Sequence, residues 1–230
     1  MTVRPCPRWL CLVTVVLTLA GLPAPLRAED PVKDLVKKVE AKYKKTADLT
    51  AEFTQTTIIK GFTKAIKSAG RVYLKRPGKL RWDYLDPTLE QIFVDNDRVQ
   101  FYVPEHKQVL TGQLSKMASS QAPLHLLQGI GKLETHYLVT PTPNGEKGNG
   151  GLPLLALTPL KGGPDQPRVV VEVDAKSFLL RRVELHDVNG NISNFLFSNV
   201  RTNTGLKDDV FAFTVPPDVE VVDAPTLVGP

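Results

Sequence analysis

The chain has 230 residues, with 29 Lys and Arg against 24 Asp and Glu, a formal net charge of +5, and 42% apolar residues. That balance supports a hydrophobic core and excludes a disordered or low-complexity polypeptide. Its two cysteines are Cys6 and Cys11, so the rest of the chain offers no disulfide, thiolate nucleophile or cysteine metal site.

Arg4 and Arg8 form a positive n-region, Leu10 to Leu22 is an apolar run too short for a membrane span, and Leu26-Arg27-Ala28 ends in a small residue. These features predict a cleaved signal peptide over residues 1–28 and export. Cys11 sits near the start of the apolar run, whereas a lipid-anchored cysteine follows its end. Cleavage leaves about 200 residues, the size of one domain, expected over 29–223 with a flexible tail at 224–230. It also removes Arg4, Arg8 and Arg27 with no acid, so the remaining charge implies no nucleic-acid partner.

Asp30-Pro31 followed by Val32, Leu35, Val36, Val39 and Tyr43 predicts a capped amphipathic helix. Its lysines, Lys33 to Lys45, form a solvated face that can also meet an acidic partner or an anionic membrane. From Leu49 the period changes to two. Strands are predicted at 49–60, 64–75, 79–85, 90–94, 98–103 and 108–111, with Asp95-Asn96-Asp97 as a tight turn. Within them Leu80, Trp82 and Tyr84 share one face, opposite Lys79, Arg81 and Asp83. Such a face suits either a protein core or the wall of an apolar ligand cavity.

Ser119 to Leu133 predicts a short apolar helix with Leu124, Leu127 and Ile130 along one side. Pro141 to Gly151 reads as a flexible surface loop. Strands resume at 154–158, 168–174, 178–187, 192–200 and 211–215, with Asn189-Gly190 as the strongest hairpin signal and a further apolar run at Val219 to Val222. Many strands, few helices and no βαβ alternation give a mainly β, α+β fold with an antiparallel sheet.

Catalytic signals are missing. His106, His125, His136 and His186 are dispersed over a turn, a helix and two strands, without metal-ligand spacing. Ser119-Ser120 reads as helix caps, Asp83, Asp86 and Asp95 as strand-end and turn acids, and Asn191-Ile192-Ser193 as a chance glycosylation sequon. Neither an enzyme activity nor a cofactor is expected.

Ordered matches along the chain carry a resemblance to a known family: Phe53-Thr54-Gln55; Lys75-Arg76-Pro77 with Leu80 and Trp82; Gln91-Ile92; the Asp95 turn; Tyr102 with Pro104; Gln108-Val109; Ala122-Pro123-Leu124; Leu157-Thr158-Pro159; and Phe211, Phe213 and Pro216-Pro217. In this order and spacing the chain resembles the LolA family of periplasmic outer-membrane lipoprotein carriers. It departs at Asn96, where the family turn is usually Asp-Gly, and at Leu80, where some members have an aromatic residue.

The resemblance implies an incomplete antiparallel β-barrel with a helical lid over an apolar cavity for acyl chains. The helix over 30–43 would cover the barrel, and 123–128 would be the lid. Leu80, Trp82, Tyr84, Ile92, Leu124 and Leu127 would line the cavity, although composition alone reads them as core. Arg76 would be the lid latch, hydrogen-bonding lid backbone carbonyls in the closed, empty state; its plainer reading is a strand-end arginine paired with Asp83 or Asp86. The implied partners are triacylated lipoproteins as cargo, an ATP-driven inner-membrane release complex (LolCDE-like) and an outer-membrane receptor lipoprotein (LolB-like), with the carrier acting as a monomer. The alternative function is a periplasmic lipid or lipoprotein sensor on the same fold.

Overall fold

The structure, a computed structural model, describes residues 1–2, 30–116, 122–160 and 167–223. The signal-peptide features from Arg4 to Ala28, the Ser119-Ser120 cap and the 224–230 tail lie outside the described residues.

Helix α1 (Pro31–Lys44) starts where expected: Asp30 accepts the Val32 N–H at 3.0 Å and Pro31 occupies the first turn. Val36, Val39 and Tyr43 are its buried stripe, while Lys38–Asp34 and Lys44–Glu40 ion pairs decorate the wet side.

Twelve strands follow: β1 (Asp48–Ile58), β2 (Ile66–Lys75), β3 (Lys79–Asp86), β4 (Glu90–Asp95), β5 (Arg98–Val103), β6 (Gln108–Gln113), β7 (Tyr137–Pro141), β8 (Leu154–Pro159), β9 (Arg168–Val173), β10 (Leu180–His186), β11 (Ile192–Thr202) and β12 (Glu220–Asp223). They form one unclosed sheet in the order β12-β6-β5-β4-β3-β2-β1-β11-β10-β9-β8-β7. Ten of its pairings are antiparallel, but β12 adds to β6 in parallel. The inner face of the curved sheet, α1 and the short helices α2 (Ala122–Gly129) and α3 (Leu133–His136) share one hydrophobic core.

Curvature at the centre depends on Gly70. It pairs with Tyr84 where the register slips, Ala69 pairing with Asp86, so that Leu85 of β3 is the bulged residue. A Cβ there would collide with the Asp83 carbonyl and the Phe53 ring, so only glycine lets β3 and its aromatic side chains pack this closely.

Two expectations are corrected, and one is given a physical basis. Residues 211–215 are not a strand: a 3₁₀ turn (Asp208–Phe211) leads into extended chain lying across the outside of the sheet, where Phe213 stacks on Phe93 at 4.7 Å and Tyr102 at 5.3 Å. His136 closes α3 and does not lie on a strand. The Pro/Gly loop folds over β9, where the Asn149 N–H reaches buried Glu172 at 3.2 Å and Gly148 leaves room for that carboxylate. Glu172 is in turn bonded by Arg182 at 3.2 Å, so a buried acid organises a segment whose composition signalled only a loop.

The chain between β11 and β12 is a strap. The Asp48 carboxylate accepts from Thr204 N, Thr204 Oγ1, Gly205 N and Leu206 N at 2.7–3.3 Å. Lys75 donates to the Leu206 carbonyl at 2.7 Å and pairs with Asp208, which also meets Lys79 at 3.0 Å. Arg81 reaches the Val210 carbonyl at 3.1 Å. The outward basic residues of β2 and β3 thus hold the strap.

Candidate functional site

Alternation places Leu80, Trp82 and Tyr84 on the inward face of β3, next to Phe53 of β1 and Phe195 and Phe197 of β11. The rings interlock: Phe53–Trp82 centroids lie 4.4 Å apart, Phe53–Tyr84 5.3 Å, Trp82–Phe195 5.7 Å and Trp82–Phe197 6.2 Å. Edge-to-face and tilted contacts of this kind stabilise beyond the area they bury. The cluster is the floor of a cavity of about 300 Å³.

Trp82, Tyr84, Ile92 and Leu124 lie in the cavity wall. Leu80 and Leu127 are outside that wall, packed in the core at 0% and 3% exposure. The wall also holds residues that the sequence reading did not place there: Gln55 and Thr57 of β1, Asp187 of the β10–β11 turn, and Asn191 and Ser193, which it read only as the ends of a sequon. Gln55 appeared only within a family match. Antiparallel alternation places the β1–β2, β3–β4 and β10–β11 turns at one end of the sheet, and the cavity opens there. Ile58, Phe62, Ile66, Leu85, Leu89 and Val188 stand exposed around that mouth.

Helix α2 runs from the mouth, where Pro123 and Leu124 touch the cavity, to the opposite end, where Gln128 Nε2 donates to the Gly78 carbonyl at 3.1 Å. Gly78 follows Arg76 in the β2–β3 turn. The Arg76 N–H is fixed to the Ala47 carbonyl at 2.8 Å, and its guanidinium lies beside Gly131, just past α2, where a Cβ would be 3.5 Å from Nη1 and Nη2. Nε and Nη2 are buried without a hydrogen-bond partner. Asp83 is bonded instead by Arg81 at 2.9 Å and Gln91 at 3.1 Å, so the Arg76–Asp83 pair does not form. Gln128 is the observed tie between lid and barrel, and no sequence motif marked it.

Burial lowers the Arg76 pKa, with the nearby Tyr43 acting in the opposite direction. Tyr43 is pushed up to about 12 by burial, opposed by the Leu180 N–H it accepts and by the Arg76 charge. At the mouth, burial and then the Glu90 charge raise the Tyr84 phenol. Trp82 Nε1 approaches it closely enough to oppose that shift, yet makes no hydrogen bond of proper geometry. Among the described residues no three of His, Cys, Asp and Glu come together as a metal site.

The profile of the family described as "Outer membrane lipoprotein carrier protein LolA" matches residues 44–214. A protein named outer-membrane lipoprotein carrier protein from Methylobacillus flagellatus is 30% identical over 215 residues, covering 94% of this chain and 98% of its own. A protein of the same name from Chromobacterium violaceum is 31% identical, covering 92% and 96%. Among solved structures, an uncharacterized conserved protein from Thermus thermophilus superposes with a TM-score of 0.53 at 12% identity, covering 85% of this chain and all of that one, a likeness of fold alone. With the profile spanning most of the sheet and the full-length relatives agreeing with it, this chain belongs to the LolA family.

Proposed function

We propose that the protein is a periplasmic carrier that binds the acyl chains of lipoproteins leaving the inner membrane and delivers them to the outer membrane. The observation that carries this reading is an aromatic-floored cavity inside an unclosed sheet, covered by helix α2, whose Gln128 donates to the Gly78 carbonyl of the barrel. Full-length relatives named as lipoprotein carriers support it.

Magnitudes favour a moving lid. At about 30 Å³ per methylene, close to a water molecule's share of liquid volume, three chains of roughly 16 carbons need on the order of 1,400 Å³. The cavity offers about 300 Å³, so on this reading α2 moves when cargo loads. Each methylene withdrawn from water contributes about 0.8 kcal/mol, which makes unassisted transit negligible. A lid held by bonds worth about 1 kcal/mol each can open for cargo at a cost that leaves delivery reversible.

Arg76 is proposed as the second latch: its guanidinium lies beside Gly131, just past α2, and a small shift of that segment would bring backbone carbonyls to the unpaired Nε and Nη2. Burying its donors unpaired is costly, so the empty closed state stores a bias toward rearrangement around the guanidinium. An ATP-driven inner-membrane complex would load the carrier, and an outer-membrane receptor lipoprotein would unload it.

The test mixes the purified protein with membranes holding a labelled triacylated lipoprotein, the release complex and ATP. ATP-dependent appearance of a soluble one-to-one complex is expected, and no release would refute the carrier reading. Arg76→Leu is expected to keep cargo bound while slowing its transfer to acceptor membranes severalfold; transfer equal to the parent would remove Arg76 from the mechanism.

A further inference from the structure

The loop between β1 and β2 (59–65) is longer than its neighbours at the mouth, the β3–β4 turn (87–89) and the β10–β11 turn (187–191). β1 ends at Ile58, paired with Ile192 at the start of β11. On the other flank the last β2–β3 pair is Ala69 with Asp86, so Ile66, Lys67 and Ser68 run on without a β3 neighbour. At about 3.3 Å per residue, the hairpin stands roughly 10 Å proud of β3 before its loop begins. The Phe62 N–H bonds the Ile59 carbonyl at 3.0 Å, and the Lys60 N–H bonds Asn191 Oδ1 at 3.0 Å. The loop therefore has a defined turn and a base tied to the β10–β11 turn.

Its side chains are of two kinds. Phe62, Ile66 and Ile58 are 69%, 50% and 49% exposed. Ile66 pairs with the cavity-wall residue Thr57 and so faces inward, whereas Ile58, one position beyond Thr57, faces outward. The tip is thus apolar on both faces of the ribbon, which suits immersion in a fluid apolar layer; a groove on a protein would cover only one. Lys60, Lys64 and Lys67 are exposed among these residues, and 58–67 contains no acid. Lys60 lies along Gly190. The acids of the mouth sit behind the tip. Asp86 is level with Ala69, and Glu90 with Gly70 through Tyr84, beyond a screening length of about 8 Å from the loop. Asp187 is occupied by the Asn189 N–H, the Asn191 N–H and Asn191 Nδ2.

We propose that the β1–β2 hairpin is a membrane-docking element that seats the cavity mouth on an anionic bilayer, with Phe62 among the acyl chains and Lys60, Lys64 and Lys67 at the headgroup phosphates. The lysine charges are drawn to the negative surface, the ring is withdrawn from water, and the long lysine stems let the ammonium groups stay at headgroup level. One ring and three charges make a weak contact that reverses readily, as a single acyl anchor does. The proposal does not depend on the carrier reading: the hairpin meets a bilayer whatever the cavity holds.

The experiment floats the protein, purified in its exported form, with vesicles of phosphatidylcholine alone or mixed equally with phosphatidylglycerol, neither holding any acylated protein. Binding to the anionic vesicles is expected to be about tenfold stronger and to weaken as salt is raised. Phe62→Ser and Lys64→Gln are each expected to lower it about fivefold. Both side chains are exposed, and circular dichroism checks that the variants fold. Lys33→Gln and Lys45→Gln, which change the basic face of α1, are expected to leave it unchanged. No flotation with either vesicle overturns the proposal and leaves the hairpin to a protein partner. Undiminished flotation of both hairpin variants, or a loss confined to the α1 variants, overturns it as well. None of these outcomes touches the carrier reading, which stands or falls on ATP-dependent release.

Discussion

The two ends of the cavity treat polar groups in opposite ways. At the mouth, Tyr84, Gln55, Thr57 and Ser193 satisfy one another in a neutral chain beside open solvent. At the lid-tie end, Arg76 keeps Nε and Nη2 buried without a partner among the described residues beside Gly131, and Gln128 of α2 bonds the Gly78 carbonyl of the β2–β3 turn. The difference teaches where each task resides. In the proposed carrier, the paired neutral surface would exchange partners with a ligand, and the unpaired buried charge beside α2 would bias the lid equilibrium. The aromatic floor separates the two.

Removing that separator is expected to have the largest effect. Trp82→Ala should cost about 3–5 kcal/mol of stability, as for large aromatic-to-alanine changes in a packed core, read from denaturant unfolding. A loss below about 1 kcal/mol would show that the floor is not structural.

Next comes the anchor of the strap beside the lid-tie end. Asp48→Ala strips the acceptor from four donors and should cost about 2–4 kcal/mol. The same group sets an acid dependence. Burial alone would raise the Asp48 pKa, but its hydrogen bonds, led by Thr204, hold it below the usual value. The unfolded chain therefore binds this proton more readily than the folded one. The stabilisation is complete above the unfolded value of about 3.9 and is lost as pH falls through the folded value. The parent should lose stability more steeply than Asp48→Ala in this acid range, and parallel pH profiles would contradict the assignment.

The smallest effect sharpens the comparison most directly. Gln128→Leu removes one neutral bond and should raise lid opening by about fivefold, seen as faster amide exchange in α2 with exchange in the β1–β11 ladder unchanged. Equal acceleration in both places would mean that lid and mouth open as one unit.

Much of this architecture was legible because it is local. The alternation from Leu49 to Thr111 marks strands by period, Asp30-Pro31 marks a helix start, and the Asp95 and Asn189-Gly190 turns mark hairpins; all are properties of neighbouring residues. What escaped the reading is built across distance. Thr57 and Ser193 are 136 residues apart, so nothing in either segment reveals that β1 and β11 zip together and align two polar strand ends into one ladder. The 211–215 segment has the β-rich look of a strand, but Lys75, Lys79 and Arg81 take it across the outside of the sheet and leave it no ladder partner. Arg76 was identifiable as special only by its family position.

By itself the sequence determined which residues alternate, where the chain turns and which faces are apolar, because those follow from backbone geometry over a few residues. Tertiary structure alone decided that Leu80 and Leu127 pack behind the cavity while Gln55 and Ser193 line it, that Arg81 takes the acid open to Arg76, and that Gln128 meets the Gly78 carbonyl. Those outcomes depend on which distant strands become neighbours, and that depends on how the whole sheet curves around the helices packed in its core.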